Sequence, residues 1–108
     1  MIGLIDYNMG NLCSVTNAFK TLNVPLKMIC QPEEVASCDK IILPGVGAFA
    51  DAMEALNKEG MGEAVQAFAH SGKPLLGICL GMQLLFESSV EFGKTKGLGL
   101  IEGEIVKF

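Results

Sequence analysis

The sequence predicts an α/β domain: an open, mostly parallel, flavodoxin-like sheet with helices on both faces. Three observations carry that expectation. Short runs rich in isoleucine and leucine recur along the 108 residues, separated by segments of helical period. The strand candidates are apolar throughout rather than alternating, as strands covered on both faces are. No repeat, linker or low-complexity stretch interrupts the alternation, which is the pattern of successive right-handed βαβ units.

The elements follow in order. Ile2 to Asp6 reads as a buried strand, bounded by the turn-prone Tyr7-Asn8-Met9-Gly10-Asn11. Asn11 suits the N-cap of a helix through Leu22, in which Leu12, Val15, Ala18, Phe19 and Leu22 recur at helical spacing. Leu26 to Ile29 is the second strand. Pro32-Glu33-Glu34-Val35 suggests one or two helical turns, with proline early and acids in the first turn. Lys40 to Leu43 is the third strand, stopped by Pro44-Gly45. Helices are expected from Ala48 to Lys58 and from Met61 to His70, broken at Gly60 and closed by Ser71-Gly72-Lys73-Pro74. Leu75 to Ile78 makes the fourth strand, Gly81 to about Ser88 the next helix, and Leu98 to Phe108 a β-like tail.

Composition narrows the function classes. Half the residues are hydrophobic and 19% are charged, which excludes a disordered chain. No apolar run approaches the roughly 18–20 residues that span a bilayer, so no membrane partner is expected. Net charge is −4, and the 8 basic residues are all lysines. Without arginine the chain lacks the usual bidentate reader of phosphate and guanine, so nucleic acid is not an expected partner. The N-terminus shows neither the basic region nor the cleavage pattern of a signal peptide. Cysteines at 13, 30, 38 and 79 form no C-x-x-C pair and have no histidine nearby. A zinc site and a disulfide framework are therefore not expected, and the reading is a reduced, cytoplasmic protein; no cofactor is expected either.

In such a sheet ligands bind beyond the carboxyl ends of the strands. Here those ends are Tyr7 to Asn11, Pro44 to Gly47 and Cys79 to Gly81. Gly77-x-Cys79-x-Gly81 is a cysteine version of the nucleophile elbow, a sharp strand-to-helix turn that presents its central residue above the sheet. The helix that follows would set its positive end at the sulfur and favour the nucleophilic thiolate. A buried, inert thiol is the alternative, and it is the expected state of Cys13, Cys38 and Cys30.

Pro44-Gly45-Val46-Gly47 supplies the second element. Glycines on either side of Val46 let the peptide units reorient and aim the Val46 amide into the cleft. With the Leu80 amide it would complete an oxyanion hole. A plain strand-to-helix turn or a phosphate cradle is the alternative. Gln83 lies four residues after Cys79 on the same helix face and could orient a polar substrate; it could equally be a solvated residue. Glu91, in the loop beyond, could pair with a substrate ammonium group or simply face solvent.

Asp6-Tyr7-x-x-Gly10-Asn11, Leu43-Pro44-Gly45-Val46-Gly47-Ala48-Phe49 and Gly77-Ile78-Cys79-Leu80-Gly81-Met82-Gln83-Leu84-Leu85-Phe86-Glu87 together resemble the class I, triad-type glutamine amidotransferases. Met82, where relatives of other pathways carry histidine, and the closing Lys96-Gly97-Leu98-Gly99-Leu100 are most similar to the histidine-biosynthesis branch, the glutaminase subunits of imidazole glycerol phosphate synthase. The resemblance covers essentially all 108 residues, as the N-terminal half of such a domain. It implies hydrolysis of the glutamine side-chain amide, with Cys79 forming a thioester and the Val46 and Leu80 amides holding the oxyanion. Gly45, Gly47, Gln83 and Glu91 match positions around the bound glutamine. The implied partner is a (β/α)8-barrel cyclase subunit, which receives the ammonia and completes a heterodimer.

One departure is large. The family's catalytic histidine and glutamate form an H-x-E motif in a second half that these residues do not contain. The single histidine, His70, is expected at the opposite end of the fourth strand from Cys79, on the order of 15 Å away. The 108 residues alone are therefore expected to turn over little or no glutamine. A non-catalytic docking or glutamine-holding module is the rival reading, and a thiol-redox protein of related fold a weaker one. An uncovered apolar face and an unpaired sheet edge are expected to make the isolated chain poorly soluble or dimeric.

Overall fold

The computed structural model describes residues 1–8, 12–58, 60–90 and 93–106. Four parallel strands form the main sheet: β1 (Ile2–Ile5), β2 (Leu26–Ile29), β3 (Lys40–Leu43) and β4 (Leu75–Gly77). Their order is β2-β1-β3-β4, which is how a doubly wound sheet begins. The first crossover runs one way along the sheet and the later ones run the other way. Right-handed connections therefore put α1 (Leu12–Thr21) on one face and the 3₁₀ helix Pro32–Ser37, α2 (Phe49–Asn57) and α3 (Met61–His70) on the other.

The two faces are not equally covered. Ile5, Ile29, Ile41 and Leu43 pack beneath α2 and α3 with Ala52, Met53, Leu56, Val65 and Phe68, and this is the core. On the other face the register aligns Met28, Leu4, Ile42 and Leu76 in one row across the sheet. Leu4 and Ile42 are buried in the middle of that row, whereas Met28 and Leu76 are 40% and 54% exposed at its ends. Helix α1, over which the apolar residues recur at helical spacing, has no fully buried residue, and Leu22 is exposed. One amphipathic helix of ten residues is too narrow to roof four strands. The N-cap expected at Asn11 lies outside the described residues.

The last third corrects one expectation. The helix after Cys79 does not continue to Ser88: α4 is a single turn, Leu80–Gln83, and β5 (Phe86–Ser89) follows. β5 pairs antiparallel with β6 (Thr95–Lys96) and parallel with β7 (Ile101–Ile105) in a separate small sheet. Backbone groups that would have extended the helix are taken by the segment 97–101. Leu98 and Leu100 donate to the carbonyls of Leu84 and Leu85, each at 2.8 Å, and Gly99 to that of Phe86 at 3.0 Å. That segment inserts Leu98 into the core. Apolar burial and satisfied carbonyls outweigh the local helical pattern there.

Candidate active site

β3 and β4 end side by side, with Leu43 opposite Gly77. The ladder runs one step further, as Ile78 N–H donates to the Leu43 carbonyl at 3.0 Å. The chain then turns sharply. Cys79 has φ 54° and ψ −125°, a conformation that a residue with a side chain keeps only when its surroundings enforce it. The two flanking glycines show what enforces it. A Cβ on Gly77 would lie 2.6 Å from Met82 Cα, and one on Gly81 would lie 1.9 Å from the Leu43 carbonyl oxygen. The G-x-C-x-G spacing thus lets strand, turn and helix approach to backbone contact. The Cys79 side chain is left exposed to solvent, so the buried alternative does not describe this thiol; it holds for Cys38 but not for Cys13 and Cys30, which are exposed against expectation.

The Pro44-Gly45-Val46-Gly47 turn stands beside the elbow. Pro44 and Gly45 are buried, Val46 and Gly47 are exposed, and Gly47 has φ 96°. The Leu80 amide, expected as an open oxyanion donor, is engaged: it donates to the Gly45 carbonyl at 3.1 Å. The next two amides of α4 are engaged as well, Gly81 to Ile78 O and Met82 to Cys79 O, each at 3.0 Å. The expected electrostatic help to the sulfur is correspondingly reduced, because a single turn sums few peptide dipoles and its first amides already have acceptors.

Gln83 is half-buried on α4, one turn from Cys79. Glu91 lies outside the described residues. His70 closes α3, before β4 begins, whereas Cys79 follows the end of β4; strand β4 separates the two. Among the described residues no group of three or more potential metal ligands comes together, and no helix is long and apolar enough to cross a membrane.

Two features escaped the sequence reading. A cavity of about 230 Å³ opens at the ends of β1 and β2, lined in part by Asp6, Asn8, Cys30 and Lys58. There the Cys30 thiol donates to Asp6 Oδ2 at 3.8 Å. Desolvation, and then the Asp6 carboxylate, push this thiol's pKa up, away from thiolate. The second is Tyr7, whose buried hydroxyl donates to the Pro44 carbonyl at 2.6 Å. In the sequence it stood only as a member of the Asp6-Tyr7-x-x-Gly10-Asn11 motif and the turn after the first strand, with no role of its own.

These features define a class: a doubly wound domain that presents a cysteine at a strand-to-helix elbow. The CobB/CobQ-like glutamine amidotransferase domain profile matches residues 15–107, and the chain belongs to that family. It is 59% identical to the imidazole glycerol phosphate synthase subunit HisH of Sulfurimonas denitrificans, over the whole of this chain and 52% of that protein. With the subunit of the same name from Wolinella succinogenes the identity is 58%, over the whole chain and 53% of that protein. The chain spans about half the length of the curated relatives it matches. A solved structure titled as a glutamine amidotransferase superposes with a TM-score of 0.82 at 22% identity, covering 97% of this chain and 55% of that one.

Proposed function

We propose that this chain carries the nucleophile and oxyanion turn of the glutaminase subunit of imidazole glycerol phosphate synthase. The observation that carries the reading is the strained, exposed Cys79 at the glycine-packed elbow, facing the Gly45-Val46 turn. Cys79 sulfur attacks the side-chain amide carbon of glutamine, a C–S bond forms, and the carbonyl oxygen becomes an oxyanion. The oxyanion collapses to a thioester as the C–N bond breaks; ammonia leaves with the proton that an acid–base group outside these residues took from the thiol, and water then cleaves the thioester C–S bond, releasing glutamate and restoring the thiol. Gln83 and, in this reading, Gly45, Gly47 and Glu91 hold the substrate. The ammonia passes to a cytoplasmic (β/α)8-barrel cyclase subunit in a heterodimer, a lyase that uses it in histidine biosynthesis.

The turn has a mechanical requirement. Gly45 C=O and Val46 N–H belong to one planar trans peptide and point in opposite directions. In the arrangement observed, that carbonyl occupies the Leu80 amide. A half-turn of the single Gly45–Val46 peptide withdraws the carbonyl and presents the Val46 amide in its place. The same motion releases the Leu80 amide, so both oxyanion donors appear together. The rotation changes ψ of Gly45 and φ of Val46, and the glycine at 45 lowers its cost.

The position of His70 beyond the far end of β4 favours a second reading for these residues alone, a glutamine-holding or docking module without turnover. One experiment separates them. The chain, with and without Cys79→Ala, is titrated with the barrel subunit, and glutamate release and labelling by a glutamine-derived diazoketone are followed. We expect Cys79-dependent labelling with little or no turnover. Turnover near that of a full-length relative refutes the expected inactivity, and labelling that survives Cys79→Ala refutes the role of this thiol.

A further inference from the structure

Tyr7 follows β1, the strand that lies beside β3 in the sheet. Its ring is buried, and its hydroxyl reaches across 37 positions of sequence to donate to the Pro44 carbonyl. The contact is tight enough to dictate the neighbouring residue, since a Cβ on Gly45 would sit 2.6 Å from the Tyr7 hydroxyl oxygen. Pro44 C=O belongs to the Pro44–Gly45 peptide. The next peptide along is Gly45–Val46, whose carbonyl accepts from Leu80. Tyr7 therefore clamps the unit immediately before the one that has to rotate.

We propose that Tyr7 is a positioning residue for acyl transfer at Cys79: its hydroxyl fixes the Pro44 carbonyl, so that rotation of the Gly45–Val46 peptide delivers the Val46 amide beside the Leu80 amide. This rests on the reading of Cys79 and its oxyanion turn given above. Without the clamp, the preceding peptide shares the rotation, and the turn moves as a loose segment instead of exchanging one carbonyl for one amide. Burial raises the phenol pKa far above its ordinary value, so the group stays a neutral donor wherever the thiol is assayed.

The test compares two reactions of one sulfur, in the 108-residue chain with Cys13→Ser and Cys30→Ser to silence the other exposed thiols. With p-nitrophenyl acetate a C–S bond forms, the ester C–O bond breaks, p-nitrophenolate leaves and the thiol proton goes to buffer; this route develops an oxyanion. Alkylation by iodoacetamide displaces iodide and develops none. Tyr7→Phe is expected to slow Cys79-dependent acylation about tenfold, a fraction of what loss of an oxyanion donor costs, and to change alkylation less than twofold. Equal loss of both reactions, or of neither, overturns the proposal.

Should Tyr7→Phe not fold, a shape-preserving change replaces it. Tyr7 is the single tyrosine of the chain, so biosynthetic incorporation of 3-fluorotyrosine alters this hydroxyl alone and makes it a stronger donor. The ratio of acylation to alkylation is then expected to change, and an unchanged ratio overturns the proposal. If the parent chain itself releases no p-nitrophenolate through Cys79, the reading of the site fails first and the role of Tyr7 falls with it.

Discussion

Replacing Gly81 with alanine places a methyl group where the sequence and structure allow none. The added Cβ would lie 1.9 Å from the Leu43 carbonyl oxygen, 2.7 Å from Leu43 C and 2.9 Å from Pro44 C. All three are backbone atoms, so no side chain can swing aside. Relief requires α4 to move away from the end of β3 by more than about an ångström. That shift breaks the Leu80–Gly45 and Ile78–Leu43 hydrogen bonds, at 3.1 and 3.0 Å. Overpacking costs about 1–3 kcal/mol, and each lost bond adds about 1 kcal/mol, giving roughly 3–5 kcal/mol. Domains of this size have only about 5–15 kcal/mol in total, and the loss corresponds to a fall in Tm of roughly 15 °C or more. Thermal unfolding followed by circular dichroism reads this directly. A Tm within about 2 °C of the parent would show that the elbow is not held by backbone contact, and the account of Cys79 strain would fail.

Other outcomes are equally measurable. Leu56 is completely buried between α2 and the sheet, and Leu56→Ala should cost about 2–5 kcal/mol in urea unfolding; a loss under about 1 kcal/mol would contradict a packed core there. Asp6→Asn removes the carboxylate that opposes ionisation of Cys30, so alkylation of Cys30 near neutral pH should accelerate severalfold, with no change counting against the contact. The Met1 ammonium, by hydrogen bond and charge, holds the Asp39 carboxyl below the usual carboxylate range. A folded-state pKa below the unfolded one contributes stability above the ordinary carboxylate value that is lost as pH falls through the lowered one. Asp39→Asn should flatten that acid limb in a series of Tm measurements, and an unchanged limb would exclude the pair as its source. Met28 and Leu76 expose the ends of an apolar row, so sedimentation should show the chain self-associating and Leu76→Lys reducing it; a monomeric parent at high concentration would refute this.

Wherever neighbouring residues decide the outcome, the sequence was legible. Each main-sheet strand falls within its apolar run, and α1, α2 and α3 fall within the segments of helical period. Gly77-x-Cys79-x-Gly81 announced a strained turn because glycines at that spacing have few other uses beside a strand end. The failure after Gln83 has a physical reason. Leu84 and Leu85 fit a helix as well as they fit the core, and only the arrival of residues 97–101 at their carbonyls ends the helix. The small sheet, with β5 pairing both β6 and β7, depends on that same distant segment.

The amino-acid order alone determined the alternation of strand and helix, the family, and the candidate nucleophile, since these depend on residue type and on spacing within a few positions. Only the tertiary structure decided that the Leu80 amide is occupied by the Gly45 carbonyl, that one sheet face is half roofed, and that the Tyr7 phenol donates to the Pro44 carbonyl. Each of these is a contact between separate elements. Hydrogen bonds and burial across such distances are set by how layers come to rest against one another, and no local pattern encodes where a carbonyl from one strand meets an amide from the next.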